Sequence, residues 1–301
     1  MTYTSQVKKE ITSDRQLWIR FKNPQSFGLL VSARQFSADA VEIATKEESI
    51  AHYYQKAIRG AISLKGELMT QEEPAPDGGT LYHVRLTAVE DRWELYNHFA
   101  MLYPEGITYD LLGGDEGTAA FVSGAFLACG SFTDPNKSYH LEFALPRQEL
   151  CQMLTEILQQ VGFAPKISSR RGIPLVYFRD SEQIADLLTF LRCPRMSMEV
   201  MAVKILKERR NAANRAFNCD NANIDKVIGA ARSQIEDIRL IEARLGQDSL
   251  PEELVDIARL RLQNPEYSLR ELGAELGLSR SGVNHRLKRL GELATRLREQ
   301  E

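Results

Sequence analysis

Ser268-Leu-Arg-Glu-Leu-Gly-Ala-Glu-Leu-Gly-Leu-Ser-Arg-Ser-Gly-Val-Asn-His-Arg-Leu-Lys-Arg-Leu290 reads as two helices around a glycine turn. Leu269, Leu272 and Leu276 recur at helical spacing, and Ser268 is placed to cap the first helix. Gly277 follows where the chain must reverse, because a residue without Cβ takes positive φ at little cost. Leu278 plugs the turn, and Ser279 caps a second helix whose inward face is Val283, Leu287, Leu290 and Ala294. Gly273 lies mid-helix, where glycine costs about 1 kcal/mol against alanine; a close crossing of the two helices accounts for it. Upstream, residues 250–262 predict a supporting helix with Pro251 at an early position and Leu254, Ile257, Ala258 and Leu262 as its stripe. Residues 264–267 connect it to the pair.

The outward face of the second helix is Arg280, Ser281, Asn284, His285, Lys288 and Arg289. Asn and Arg carry donors and acceptors that match adenine and guanine edges in the major groove. Ser281 and Lys288 suit phosphate contacts, which position a protein without reading sequence. Six basic residues stand against Glu292 alone between Arg280 and Arg298. Charge by itself would describe any solvated basic helix. Joined to the leucine register and the glycine turn, it describes a helix-turn-helix that reads double-stranded DNA, over residues 248–301.

The chain has 301 residues, enough for two or three modest cores, with a net charge of −3. Its charge is uneven: residues 1–160 hold 14 Lys and Arg against 21 Asp and Glu, and the remainder 24 against 20. Nucleic-acid contacts are therefore expected in the second half. No leader and no apolar run of bilayer length is read, so a cytoplasmic, nucleoid-associated protein is expected. Cys129, Cys151, Cys193 and Cys219 are far apart with no histidine at ligand spacing, which reads as buried reduced thiols; neither metal nor cofactor is expected.

The body repeats itself. Residues 117–129 predict a small-residue-rich apolar helix, and 131–133 with 137–145 a hairpin in which Tyr139, Leu141, Phe143 and Leu145 share a face. A helix at 147–161, strands at 164–168 and 174–179 and a helix at 182–191 complete an αββαββα unit over residues 111–200. Residues 1–110 give the same order more faintly: a helix at 27–36, an extended piece at 40–45, a helix at 49–58, strands at 62–69 and 80–87 around a turn at 76–79, and a helix at 92–102. Corresponding elements about a hundred residues apart argue for duplication.

Gly124-Ala-Phe-Leu-Ala-Cys-Gly-Ser-Phe132 resembles the LAGLIDADG helix of homing endonucleases. In that family two such helices pack along a pseudo-two-fold axis and each delivers an acid to the metal. Here Cys129 holds the position before the final glycine and Leu127 the earlier acid-type position; the first copy puts Ala33 and Arg34 there. Metal-dependent cleavage needs convergent carboxylates, so no catalytic residue is expected and Cys129 reads as a small residue at a helix–helix contact.

The whole chain resembles the WhiA family of sporulation and cell-division regulators. The likeness is carried by Asp134-Pro-Asn-Lys-Ser-Tyr-His-Leu-Glu142, Glu182-Gln-Ile-Ala-Asp186, Lys207-Glu-Arg-Arg-Asn211, Asn218-Cys-Asp-Asn-Ala-Asn223, Gln234-Ile-Glu-Asp-Ile-Arg-Leu-Ile241 and Ser281-Gly-Val-Asn-His-Arg-Leu287. Residues 1–110 depart from the family most. The resemblance implies an α+β fold: a duplicated, catalytically dead LAGLIDADG-like domain, a long linker helix and an all-α helix-turn-helix domain. It also implies transcriptional control at promoters in cell division, chromosome segregation or sporulation, with a WhiB-type or other regulatory protein as partner. A divergent endonuclease and a DNA-localised scaffold are the alternatives.

Residues 201–247 read as a basic segment followed by a linker helix from Asp225, ending where 246–249 open a linker. Lys204, Lys207, Arg209, Arg210 and Arg215 stand there against Glu208 and are expected to touch DNA. So are Lys166, Arg170 and Arg171, with Arg179 beside them, on the hairpin that enters the groove in LAGLIDADG proteins.

Overall fold

The computed structural model describes residues 2–76, 78–103, 106–246 and 250–299, and the chain folds as two units, Met1–Lys207 and Glu208–Glu301. The first unit opens with α1 (Tyr3–Ser13) and α2 (Arg15–Val31). Then β1 (Gln35–Phe36), β2 (Val41–Thr45), α3 (Glu48–Ala61), β3 (Leu68–Pro74), β4 (Thr80–Leu86) and α4 (Val89–Leu102) complete one αββαββα copy counted from α2. After α5 (Tyr109–Leu112), the order repeats in α6 (Gly114–Cys129), β5 (Gly130–Phe132), β6 (Leu141–Ala144), α7 (Gln148–Gln160), β7 (Lys166–Arg170), β8 (Ile173–Phe178) and α8 (Ser181–Phe190). Both sheets are antiparallel with the same topology, β1-β2-β4-β3 and β5-β6-β8-β7. The α+β fold and its internal duplication are thus as the sequence implies.

Glycine sets the distance between the two copies. A Cβ on Gly28 of α2 would lie 2.0 Å from the Phe121 carbonyl oxygen of α6, and one on Gly124 of α6 would lie 2.1 Å from the Gln25 oxygen of α2. The contact is reciprocal, each helix pressing its backbone onto the other's glycine. Around it Leu29, Leu30, Phe121, Val122, Ala125 and Phe126 are buried in a core that both sheets share. On the central strands Val41, Ile43, Leu141 and Phe143 face that core, and the residues between them face away.

Several elements differ from expectation for identifiable reasons. The helix expected at 27–36 ends at Val31, and it begins earlier, at Arg15, with a break at Phe21. Pro24 explains the break, since it lacks an N–H and its ring crowds the carbonyl of Arg20. The strand expected from residue 62 starts at Leu68. Residues before it are folded into a loop by the buried Asp91 carboxylate, which accepts the N–H groups of Lys65 (2.9 Å) and Gly66 (2.8 Å). Helix α1 has no counterpart in the sequence pattern. It docks through Thr4, whose hydroxyl accepts the Phe132 N–H at 2.9 Å, and through Glu10, which accepts the N–H groups of Arg195 (2.9 Å) and Met196 (3.3 Å). Those two groups belong to the first turn of α9 (Pro194–Leu245), which begins well before the expected Asp225 and takes in the basic segment. Cys219 on α9 is exposed rather than buried, while Cys151 and Cys193 are buried as expected. Asp77, in the turn expected at 76–79, and residues 247–249 of the expected linker lie outside the described residues.

The second unit is helical: the later part of α9, then α10 (Glu252–Gln263), α11 (Leu269–Leu276) and α12 (Arg280–Glu299). Leu254, Ile257, Ala258, Leu272, Val283, Leu287, Leu290 and Ala294 form its core, as the leucine register implies. Ile238 and Ile241 of α9, both fully buried, complete it. The end of the long helix is therefore a structural part of the helix-turn-helix unit.

Gly124→Ala should destabilise the first unit by about 1–3 kcal/mol or more, since the clash is with backbone that cannot step aside. Gly229→Ala, where nothing lies within 4 Å, should be neutral or stabilising. Thermal denaturation of the two variants checks the contrast.

Candidate nucleic-acid interface

Local chemistry fixes both ends of α11. Ser268 and Glu271 form a capping box: the Glu271 N–H donates to Ser268 Oγ (3.3 Å) and the Ser268 N–H to the Glu271 carboxylate (2.7 Å). That backbone bond, then the hydroxyl, holds the Glu271 carboxyl below its usual range. At the other end Gly277 takes φ 65°, and the Leu278 N–H donates to the Gly273 carbonyl at 2.8 Å. The turn folds back so tightly that a Cβ on Gly273 would lie 2.5 Å from the Leu278 oxygen. Gly273 is therefore required by the turn's own carbonyl, with Val283 of α12 next in contact. Ser279 caps α12 through the Gly282 N–H at 3.1 Å.

This frame aims α12. Arg280, Ser281, Asn284, His285 and Lys288 are exposed on the side opposite Val283, Leu287 and Leu290. Lys288 also reaches Glu292 at 3.7 Å. Arg289 is half-buried and paired with Glu253 of α10, so it is held against the domain. One determinant escaped the sequence reading. Arg261 of α10 is 2 % exposed and donates from Nη1 to the carbonyls of Tyr267 (2.6 Å) and Pro265 (3.3 Å). It ties the turn before α11 to α10. The available signal was its place on the apolar stripe, one turn beyond Ile257.

The secondary cations divide into free and engaged. Lys166 and Arg171 are exposed and make no ion pair among the described residues; Arg171 takes φ 52° at the hairpin tip. Arg170 is engaged, its guanidinium meeting both oxygens of Glu142 (2.6 and 3.3 Å). Glu142 is 5 % exposed and also meets His140 at 2.8 Å. Burial pushes its carboxyl up, but hydrogen bonds from His140 and Arg170 outweigh that and hold it below the usual range. The first sheet has the counterpart on its central strand: Glu42 lies 3.0 Å from His83 and 3.0 Å from Arg85, and is lowered in the same way. On α9, Lys204 pairs with Glu182, and Lys207 donates to the Pro135 carbonyl (2.6 Å) while lying over the Tyr139 ring (4.6 Å). Arg209, Arg210 and Arg215 are exposed.

At the ends of the paired helices the residues do not suit a divalent metal. Ala33 is buried, and the half-buried Cys129 donates its S–H to the Ala125 carbonyl at 3.3 Å. Burial pushes the Cys129 thiol up to about 12, against the opposing pull of Lys8. Lys8 comes from α1, is 8 % exposed, and lies 4.0 Å from Glu47. Burial pushes its ammonium down, while Glu47 favours the charged form. A buried ammonium thus adjoins the place where LAGLIDADG enzymes gather cations. Among the described residues no group of three or more His, Cys, Asp or Glu is disposed to hold a metal.

Two family models match the chain: the WhiA LAGLIDADG-like domain over residues 118–210 and the WhiA C-terminal HTH domain over residues 213–294. The probable cell division protein WhiA of Limosilactobacillus fermentum is 33% identical over 313 residues, covering 99% of each chain. That of Clostridium botulinum (strain Hall) is 32% identical over 283 residues, covering 90% of this chain and 88% of its own. The chain belongs to the WhiA family. The crystal structure of full-length DUF199/WhiA from Thermatoga maritima shares the fold, with a TM-score of 0.55 at 22% identity over 98% of this chain and 99% of that one. The WhiA domain models thus cover both the second LAGLIDADG-like copy and the helix-turn-helix, including all of the α12 face described above.

Because Glu42 and Glu142 are held below their usual range in the folded chain, their contribution to stability is present at neutral pH. It is lost as pH falls through the ordinary carboxylate range, about 4.3 for glutamate, and below it. Glu142→Gln should cost about 1–3 kcal/mol at pH 7, because one amide oxygen replaces the two carboxylate oxygens that meet Arg170 and His140 and the amide NH2 then faces those donors. It should also flatten the acid limb of a melting-temperature profile taken between pH 7 and pH 3.

Proposed function

We propose that this chain is a sequence-specific DNA-binding transcriptional regulator of bacterial cell division, chromosome segregation or sporulation, acting at promoters without cutting them. One observation carries the reading: α12 is held by a capped, glycine-turned frame that leaves Arg280, Ser281, Asn284, His285 and Lys288 exposed together. The major groove, about 12 Å wide, admits one helix. Asn284 and Arg280 supply bidentate chemistry for base edges, while Ser281, His285 and Lys288 serve neighbouring bases and phosphates. Lys166 and Arg171 on the hairpin, and Arg209, Arg210 and Arg215 on α9, add phosphate contacts. Arg170, Lys204, Lys207 and Arg289 join only by exchanging their present partners. Binding of this kind places the protein on the nucleoid.

Cleavage is not part of the proposal, because Ala33, Cys129 and the Lys8 ammonium replace the carboxylate pair that a divalent metal needs. A second reading, in which the duplicated domain holds a regulatory protein of the WhiB or another type, is favoured by an exposed apolar row on α4. Val89 and Trp93 are each 53 % exposed and Tyr96 41 %, at spacings that put them on one face. No helix among the described residues is long and apolar enough to cross a membrane.

Affinity of the full chain for promoter fragments should fall steeply with salt, since phosphate contacts release counterions. Asn284→Ala should lose about 1–3 kcal/mol on the specific site and much less on random duplex, measured by fluorescence anisotropy. Equal losses on both would remove Asn284 from base reading. Supercoiled plasmid incubated with the protein and magnesium or manganese should stay supercoiled. Trp93→Glu should leave DNA affinity unchanged; a loss would move the α4 row from partner binding to DNA binding.

A further inference from the structure

In the helical unit four cations are held in ion pairs: Arg232 with Glu236, Arg289 with Glu253, Arg298 with Asp237, and Lys288 with Glu292. Three other cations surround a single groove. The groove, of about 450 Å³, lies between α9 and the first residues of α11 and α12, and no carboxylate lines it. Lys226, Arg270 and Arg280 stand around it and make no ion pair or side-chain hydrogen bond among the described residues. The only acid in the first turn of α11, Glu271, is turned back into its capping box and is absent from the lining. Both helices begin at the groove, so their free N–H groups add positive potential to that of the side chains.

Arg261 also lines the groove. It is 2 % exposed, and its Nε is buried with no hydrogen-bond partner, although Nη1 is well used. Gln234 lines it too, and its Oε1 is likewise buried and unpaired. A buried donor and a buried acceptor without partners each cost free energy unless something supplies the complement. Val227, Ala231 and Leu269 provide apolar walls beside them.

The two sets of features ask for different parts of one ligand. The unpaired cations suit a phosphate, which guanidinium forks meet with two parallel hydrogen bonds. The buried acceptor and donor and the apolar walls suit a flat heterocycle that carries both a donor and an acceptor. A duplex backbone would satisfy the cations but leave Arg261 Nε and Gln234 Oε1 unmatched. We propose that this groove binds a small phosphorylated heterocycle of the mononucleotide class. Because Arg280 and Asn284 line the groove and also belong to the DNA-reading face, ligand and DNA compete. The competition rests on the proposed DNA-reading role; the ligand site does not.

Isothermal titration of the full chain with GMP, AMP, guanosine and inorganic phosphate tests the site directly. At least one mononucleotide should bind about tenfold or more tightly than phosphate or the neutral nucleoside. Arg270→Gln and Lys226→Gln should each weaken it by a similar factor, Val227→Trp should block it, and Arg232→Gln should leave it intact. Circular dichroism melts establish that each variant is folded. That mononucleotide should also lower affinity for promoter DNA, and DNA should lower affinity for the mononucleotide by the same factor. Failure of both mononucleotides to bind, or binding untouched by Arg270→Gln, Lys226→Gln and Val227→Trp, overturns the proposal. If neither binds while Arg270→Gln and Lys226→Gln weaken DNA binding, the cations serve backbone phosphates: the ligand site falls and the DNA-reading role stands. If a mononucleotide binds as described and promoter DNA does not, the site stands and the DNA-reading role falls.

Discussion

Two carbonyl oxygens resting on two glycines, Phe121 on Gly28 and Gln25 on Gly124, hold α2 and α6 closer than any side chain would permit. The rest of the first unit follows from that distance. Each helix passes almost directly into its own sheet, α2 into β1 and α6 into β5, so the reciprocal relation of the helices is handed on to the strands. The two sheets then share one topology, one core and one pattern of inward-facing residues. Even a costly feature is repeated: Glu42 and Glu142 occupy matching places on β2 and β6, each clamped by an arginine and a histidine on the face turned from the core. Buried carboxylates of this kind are maintained only while their partners stay in place, so they tie the outer face of each sheet to its register.

The helical unit depends on a different economy of contacts. Its three short helices bury one face each, and Ile238 and Ile241 of α9 close the remaining side. Arg261 does with hydrogen bonds what a larger core would do with area, gripping the carbonyls at 265 and 267 so that α11 starts in a fixed direction. Precision in α12 therefore comes from a buried charge and a capping box as much as from leucines. Each is short-ranged, which is why so small a unit can present a rigid helix.

What could be read from sequence divides along the same line. Patterns that repeat at helical or strand spacing were legible: the leucine register of 268–290, the capping serines, the Gly277 turn, and the order of the second copy. The first copy was blurred because its signals are tertiary. Pro24 splits α2, Asp91 takes two backbone N–H groups that a strand would otherwise use, and β1 has only two residues. Helix α1 has no strong apolar stripe and is held by the Thr4 and Glu10 hydrogen bonds to residues far along the chain. Cations were legible as cations, but not their partners. Nothing local to Arg170 announces Glu142, and nothing local to Arg289 announces Glu253, because both pairings are made by the fold.

The same distinction separates two demands on the α2–α6 seam. Helix packing at the α2–α6 seam requires glycine, whereas a metal site requires carboxylates, so the geometry of the helix pair and a set of metal acids are independent demands. This chain meets the first and not the second: Gly28 and Gly124 are in place, while Ala33 and Cys129 stand at the ends. Lys8 makes the change more than a deletion. Restoring a carboxylate at Cys129 would set it beside a buried ammonium, which would pair with it and leave little negative charge for a divalent ion. Undoing the change would require α1 to give up its lysine as well.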